Sequence, residues 1–216
     1  FLNPMHTSEE DGRPKYLPAD EYLSGNVREK LAIAKRSAEL HPEDYGENVR
    51  ALEAVQPVDL TASEISVRLG ATWLTLEIIE EFMFELFSTP RYCQWNIHVH
   101  YAQYTGEWNV EGKSYDRSNV KAYNTYGTGR VNGYKIMEET LNLRDVRIFD
   151  YIEDGNGMKT ALLNKKETAI AQGKQELIKQ AFADWIWSDP ERREQLTKLY
   201  NEKFNSIRPA SMTAAT

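Results

Sequence analysis

The spacing of apolar residues changes from helical to alternating near residue 95, and this change constrains the fold of the chain. Alternate residues from Trp95 to Tyr101 are apolar, and Trp108 and Val110 repeat the alternation after a Thr-Gly pair. Such alternation is typical of a half-buried β-strand. The two runs therefore predict an antiparallel hairpin.

A second hairpin is predicted between residues 146 and 163. Its strands, 146–152 and 159–163, flank Asp-Gly-Asn-Gly at 154–157, and these residue types tolerate the positive φ angles of tight turns. A further strand is predicted near residues 120–126. Together these segments indicate a small antiparallel sheet built from two hairpins.

Helical spacing occupies the chain before residue 90. It predicts helices over residues 27–40, with Asn26 as cap, and over residues 45–55. Thr61 and Glu64 have capping-box spacing and Gly70 is a stop signal, so residues 61–70, with a second helix at 75–87, fit a helix-turn-helix. That second helix holds four glutamates and no cation, which favours a solvated face or a protein contact over DNA reading.

Helical spacing returns at residues 131–141 and at 164–187, where the longer helix is expected to cover the sheet, and again after the Ser-Asp-Pro sequence at 188–190. The predicted class is α+β, with a helical N-terminal part, a small sheet and long C-terminal helices packed on it. The predicted organisation is an extended arm or linker at 1–20, a helical subdomain at 21–90, an α+β subdomain at 91–209 packed with it as one unit, and a disordered tail at 210–216.

Composition favours a cytoplasmic protein without a membrane partner. Cys93 is the only cysteine, and no stretch approaches the roughly 20 apolar residues that span a bilayer. The net charge is -7, and the first 90 residues hold 17 acidic and 8 basic side chains. From Arg117 to Lys135, by contrast, four cations occur without a carboxylate, interleaved with tyrosines. This window is the one suited to a phosphate backbone.

The glycine-rich loop at 126–130 lies inside this basic window and leads into a helix whose free amides could hold a phosphate. Its glycines, at 127, 129 and 133, match neither nucleotide-binding fingerprint, so no cofactor is expected and a structural glycine turn is the alternative. Tyrosines near the cations are typical of a surface that stacks bases, although they are also ordinary strand residues. The candidate nucleic-acid-binding residues are Lys113, Arg117, Lys121, Tyr123, Tyr126, Arg130 and Lys135.

No complete catalytic or metal site is visible in the sequence. Cys93, His98 and His100 could bind a soft metal, but a fourth ligand is missing, so ordinary strand histidines are preferred. Glu138 and Glu139 are adjacent in a helix and face apart, unlike a shared acid-base pair. We therefore expect no catalytic residue, while a site assembled from dispersed residues stays an alternative.

Six segments together suggest a family. They are V-R-L-G-A-T-W-L at 67–74, E-W-N-V-E-G-K at 107–113, T-Y-G-T-G-R-V-N-G-Y-K-I-M-E-E-T-L-N-L at 125–143, L-N-K-K-E-T at 163–168, W-I-W-S-D-P-E-R-R-E at 185–194 and L-Y-N-E-K-F-N-S-I-R-P at 199–209. Over about residues 15–209 the chain resembles the region between the adenine-specific methyltransferase and SWI/SNF-type helicase domains of very large bacterial mobile-element proteins.

The resemblance implies a DNA-processing context, although neither the helicase nor the methyltransferase motif occurs in this chain. We expect a noncatalytic, helicase-associated module that binds DNA or couples domains, with DNA, other domains of the helicase/methyltransferase or a host protein as partner. The alternative is a stand-alone mobile-element protein that inhibits a host defence nuclease. The acidity of the first 90 residues favours that alternative, because acidic surfaces can occupy nucleic-acid grooves.

Overall fold

The computed structural model describes residues 2–3, 15–153, 155 and 157–210. In chain order the helices and strands are β1 (Leu2–Asn3), β2 (Lys15–Tyr16), α1 (Ala19–Tyr22), β3 (Gly25–Asn26), α2 (Val27–Leu40), α3 (Pro42–Ala54), α4 (Leu76–Phe87), α5 (Arg91–Gln94), β4 (His98–Ala102), β5 (Glu107–Glu111), α6 (Gly133–Leu141), β6 (Phe149–Glu153), β7 (Lys159–Leu163), α7 (Lys165–Ile186), α8 (Pro190–Phe204) and β8 (Ile207–Arg208). None of the described helices combines the length and apolarity needed to cross a membrane.

The chain divides into two compact units. Unit 1 contains the residues up to Ile65 and from Glu191 onward, and unit 2 contains Ser66–Pro190. This division differs from the predicted boundary at residue 90, because α4 packs against β4, α6 and α7 inside unit 2. The predicted α+β class is confirmed.

Unit 1 is built around the helix pair α2 and α3. The side chain of Asn26 accepts a hydrogen bond from the Glu29 amide at 3.1 Å, and this cap starts α2 where the sequence predicts it. Tyr22, Val27 and Leu52 are among the buried side chains of the core. β3 pairs with β8 in antiparallel register, which ties the two chain segments of the unit together.

The described part of the predicted arm at residues 1–20 contains short paired strands and the start of a helix. Leu2–Asn3 pairs with Lys15–Tyr16 in antiparallel register, and α1 begins at Ala19. Residues 4–14 of the predicted arm and residues 211–216 of the predicted tail lie outside the described residues.

The predicted helix at 61–70 is absent, so the helix-turn-helix is wrong. Glu64 does accept hydrogen bonds from the Thr61 amide and hydroxyl, at 2.8 and 2.7 Å, but the pair closes a single turn with no helix behind it. Gly70 then adopts a φ of 89° beside α6, where a Cβ atom would lie 2.2 Å from the Leu141 carbonyl oxygen. Tertiary packing at this glycine overrides the local helical signal.

Unit 2 contains both predicted hairpins. β4 pairs with β5 in antiparallel register, with Val99 opposite Val110, and both side chains are buried. β6 pairs with β7 in the same way. The hairpins form separate two-stranded sheets rather than one sheet, and α7 packs mainly against α6 and α4 instead of covering a sheet.

The third predicted strand, near residues 120–126, is wrong. Lys121–Thr125 forms a π-helical turn, in which the Tyr126 amide donates to the Lys121 carbonyl at 2.8 Å. The Asn119 side chain accepts from the Ala122 amide at 3.1 Å and so supports the start of this turn. These local hydrogen bonds use backbone groups that a strand would present to a neighbour.

Candidate nucleic-acid interface

Several amides in and after the glycine-rich loop already have hydrogen-bond partners within the chain. The Thr128 hydroxyl accepts from the amides of Arg130 and Val131, both at 3.1 Å. The Asn132 side chain accepts from the Lys135 amide at 2.9 Å and caps α6. Because these side chains satisfy the amides from within the chain, the loop is a structural turn in this conformation.

Gly127 is required by close packing. A Cβ atom at this position would lie 2.4 Å from the Ala122 carbonyl oxygen and 2.9 Å from that of Tyr123. Gly129, two residues on, has no atom within 4 Å of its added Cβ. The absence of a side chain at Gly127 therefore allows the loop to pack closely against the π-helical turn. This agrees with the alternative that the loop is a structural glycine turn.

Two of the candidate lysines compensate a buried carboxylate. Glu138 accepts from the Val110 amide at 2.8 Å and from Lys113 and Lys135 at 2.5 Å each. Burial alone would raise the pKa of Glu138, but these hydrogen bonds outweigh it and hold the pKa below its ordinary value. Lys135 also lies 2.7 Å from Glu139. Both ammonium groups are thus paired with carboxylates, although the two lysine side chains remain partly exposed.

Arg130 also has a carboxylate partner. Its guanidinium donates to the Asp150 carboxylate at 2.8 Å and to the Phe149 carbonyl at 2.9 Å, which fastens the glycine-rich loop to β6. Hydrogen bonds from Arg130 and then Asn164 lower the pKa of Asp150. A phosphate would therefore have to displace an existing carboxylate partner.

The two candidate tyrosines are half-buried. The Tyr123 hydroxyl donates to the Lys113 carbonyl at 3.4 Å and accepts from the Asn132 amide group at 3.3 Å. The ring of Tyr126 packs 5.9 Å from that of Phe87, measured between centroids. These rings support the loop, and a nucleic-acid base would have little of either face to stack on.

Arg117 and Lys121 are different, because both are exposed and neither forms an ion pair with a described carboxylate. Arg117 donates to the Ser114 carbonyl at 3.2 Å, and Lys121 donates to the Ser88 hydroxyl at 2.8 Å. Neutral partners leave their charges uncompensated. Of the five candidate cations, these two are the ones suited to a phosphate.

Exposed aromatic side chains lie on the neighbouring helix α5 and at its C-cap. Tyr92 and Trp95 are 73% and 82% exposed, and their spacing of three residues places them on one side of the helical turn. Cys93 between them is buried. Arg91 is also exposed, with no ion pair among the described residues. Large apolar side chains with this much exposure commonly mark a binding surface.

The loop at 114–117 lies beside α5. The Cys93 thiol approaches the Tyr115 carbonyl at 3.9 Å, and a Cβ atom on Gly112 would lie 1.9 Å from the Asn96 carbonyl oxygen. Tyr115 itself is 63% exposed. We call the resulting set the aromatic-cationic surface, defined as Arg91, Tyr92, Trp95, Tyr115, Arg117 and Lys121.

A buried hydrogen-bond network centred on Asp116 stabilises the loop that carries Tyr115 and Arg117. Asp116 accepts from the Tyr134 hydroxyl at 2.8 Å and from the Asn119 side chain at 2.5 Å, and Tyr134 contacts the Thr89 hydroxyl at 2.7 Å. Burial, reinforced by Asp116, raises the pKa of Tyr134 and that of Cys93. Both groups therefore stay protonated near neutral pH, and the tyrosine acts as a fixed donor to the carboxylate.

The histidines of β4 face carboxylates. His98 Nδ1 lies 3.5 Å from Glu80, and His100 Nε2 lies 3.3 Å from Glu111. Within the described part of the chain, no group of three or more His, Cys, Asp or Glu side chains could hold a metal ion. Glu80 also accepts from the Val99 amide at 2.7 Å, so the acidic side of α4 is partly used in internal contacts.

The sequence interpretation missed Arg91, Tyr92, Trp95 and Tyr115 as candidate binding residues. A signal was present, because Tyr92 and Trp95 are three residues apart and follow Pro90, which starts α5. The alternation that begins at Trp95 masks this signal, because it places Trp95 first in a predicted strand. In the structure Trp95 is the C-cap of α5, and β4 begins at His98.

No curated protein and no solved structure matches the chain. The model of one family, described as a domain of unknown function (DUF8437), matches residues 68–206, a region that includes every residue of the aromatic-cationic surface. Because this match covers more than half of the 216 residues, the chain belongs to the DUF8437 family.

Proposed function

We propose that the chain is a noncatalytic module that binds DNA through the aromatic-cationic surface, as part of a mobile-element helicase/methyltransferase system. One observation carries the proposal: three cations without carboxylate partners among the described residues accompany three aromatic side chains that are each more than 60% exposed. The resemblance to the region between methyltransferase and helicase domains supports DNA as the nucleic acid.

The two kinds of side chain have complementary roles. Arg91, Arg117 and Lys121 would neutralise phosphates and release counterions, which gives affinity that falls with salt. Tyr92, Trp95 and Tyr115 would stack on bases, which requires bases that are not already paired. The proposal therefore favours single-stranded DNA, such as a helicase or a mobile element generates.

Lys113, Arg130 and Lys135 have a structural role in this proposal. Their carboxylate partners hold β5, α6 and β6 in place, so the binding surface is shifted from the glycine-rich loop to α5 and the loop that precedes the π-helical turn. Arg117 and Lys121 remain from the set expected from sequence.

Fluorescence anisotropy with a labelled single-stranded oligonucleotide tests the proposal. Three phosphate contacts predict a slope of log affinity against log salt of about -2. The combined variant Arg91→Ala, Arg117→Ala, Lys121→Ala is expected to bind at least tenfold more weakly with a slope near zero. Arg36→Ala, which removes an exposed arginine of unit 1, is the matched control and should bind like the parent. Absence of binding at low salt, or unchanged affinity in the combined variant, rejects the proposal.

The β6–β7 hairpin supports a coupling role beside DNA binding. It exposes apolar side chains on both faces, including Tyr151, Ile152 and Leu162. An isolated two-stranded hairpin is marginally stable, and exposed apolar surface of this kind commonly contacts a partner. We expect the chain to co-purify with a separately produced helicase domain of the resembled proteins. Tyr151→Lys should abolish that association, and Tyr104→Lys, on the β4–β5 turn, should not.

A further inference from the structure

Unit 2 contains a cavity of about 340 Å³ that is separate from the aromatic-cationic surface. It lies between the loop at 67–69, the C-terminal end of α6 and the last turns of α7. Its volume falls within the range of small-molecule sites, which are largely apolar with a few placed polar groups. Its lining includes Val67, Arg68, Leu143, Gln175, Lys179 and Ala183.

Leu143, at the rim of the cavity, adopts a left-handed backbone conformation that residues with a side chain rarely adopt. Its φ is 58°, and its amide donates to the Thr140 carbonyl at 3.0 Å while the Arg144 amide donates to the Glu139 carbonyl at 2.9 Å. This is the helix C-terminal motif in which glycine normally occupies the left-handed position. Here a leucine occupies it and is 58% exposed. Strain of this kind is commonly retained at functional sites.

The floor of the cavity is fixed by Gln175, which is buried. Its side-chain amide group donates to the Arg144 carbonyl at 2.8 Å and to the Thr140 hydroxyl at 3.3 Å. Its oxygen accepts from the Val146 amide at 3.2 Å. These three bonds hold the end of α6 and the following segment to α7, so the cavity is preformed.

The charges at the rim include one cation without a carboxylate partner among the described residues. Lys179 lies 2.8 Å from Glu176, and Arg144 lies 3.0 Å from Glu107. Arg68 is exposed and forms no such pair within the described ranges. Asp145 is the acidic residue of the lining, so the cavity carries more positive than negative side chains.

We propose that this cavity binds a small organic anion with an apolar body, such as an aromatic carboxylate or sulfonate. The apolar body would lie against Val67, Leu143 and Ala183, which are exposed or half-buried, and the acid group would pair with Arg68. The strained leucine supplies the apolar rim that a glycine would leave open. This site is independent of DNA binding, because it shares no residue with the aromatic-cationic surface.

A fluorescent probe of this chemistry, 8-anilinonaphthalene-1-sulfonate, tests the proposal on the full chain. We expect saturable binding of one probe per chain. Arg68→Gln should weaken it at least fivefold but leave binding of the uncharged analogue N-phenyl-1-naphthylamine unchanged. Leu143→Gly should weaken both probes at least fivefold while raising the melting temperature by a few degrees. Equal loss of both probes in Arg68→Gln would reject the role of the arginine.

A cavity-filling pair provides the matched control. Ala183 lines the cavity, and Ala169 lies on the same helix outside the lining; both are exposed. Ala183→Phe is expected to abolish probe binding, and Ala169→Phe is expected to leave it intact, with both variants melting near the parent temperature. Absence of saturable binding in the parent, or equal binding in the two variants, overturns the proposal.

Discussion

Lys113 and Glu138 form a partly buried ion pair, with 2.5 Å between Nζ and Oε2, that joins the chain just after β5 to α6. The same carboxylate accepts from the Val110 amide at the end of the hairpin. One acidic side chain therefore orders the β4–β5 hairpin against the helix behind it. It also pairs with a charge that the sequence alone assigned to nucleic acid.

Replacing Glu138 should destabilise the protein more than replacing its neighbour Glu139. Glu138→Gln removes the charge that Lys113 and Lys135 share; because both lysines are partly exposed and Lys135 keeps Glu139, the expected loss is about 1–3 kcal/mol. Urea unfolding measures the difference. Glu139→Gln is the control, because that side chain is more exposed and does not bind the hairpin backbone; it should cost under about 1 kcal/mol. Similar losses in the two variants would contradict a central role for Glu138.

Lowering the pH should reduce the stability of the protein through protonation of Glu138. The folded pKa of Glu138 lies below its ordinary value of about 4.3, so its contribution is fully present above that value and is lost as pH falls through the folded pKa. Thermal melts from pH 7 to pH 3 should show the decline beginning near pH 5. Asp150 acts in the same direction, so the test is the difference between the parent and Glu138→Gln, which should shrink as pH falls. A constant difference would argue against this linkage.

The two glycines of the glycine-rich loop should respond differently to alanine. Gly127→Ala forces a Cβ atom against two carbonyl oxygens and should cost about 1–3 kcal/mol. Gly129→Ala meets open space and should stay within about 0.5 kcal/mol of the parent. Chemical denaturation distinguishes the two. Equal effects would mean that the loop does not pack on the π-helical turn as described.

Removing the Tyr134 hydroxyl should lower the stability of the protein, because the buried Asp116 carboxylate loses a neutral hydrogen-bond donor. Tyr134→Phe removes a hydrogen bond to a carboxylate that is 2% exposed, and an under-satisfied buried group costs about 1–3 kcal/mol. Tyr151→Phe, on the exposed hairpin, is the control and should change the unfolding free energy by less than about 0.5 kcal/mol. An unchanged stability in Tyr134→Phe would show that water or Asn119 replaces the tyrosine.

Elements defined by neighbouring residues were predictable from the sequence. Asn26 and Asn164 cap α2 and α7 through amides three residues on, and both starts were predicted. The β4–β5 pairing follows from alternation across a short connection. In each case the deciding hydrogen bonds or apolar contacts lie within a few residues, where spacing is informative.

The candidate site depended on contacts that spacing does not show. Glu138 is 25 residues from Lys113, and Asp150 is 20 residues from Arg130, so a window without carboxylates still forms ion pairs. The Thr61 and Glu64 pair satisfied a local rule, yet packing at Gly70 decided the backbone. Charge composition along a sequence predicts a binding surface only after tertiary partners are assigned.

The pairing of β3 with β8 has a consequence for how the protein is made. Arg208 donates to the Leu23 carbonyl across 185 positions of sequence, and all of unit 2 is encoded between them. On the ribosome, Ser66–Pro190 emerges before the strand that completes unit 1. A cut or premature stop after Pro190 would therefore leave the sequence of unit 2 intact while depriving the earlier-synthesised N-terminal segment of its closing helix and strand.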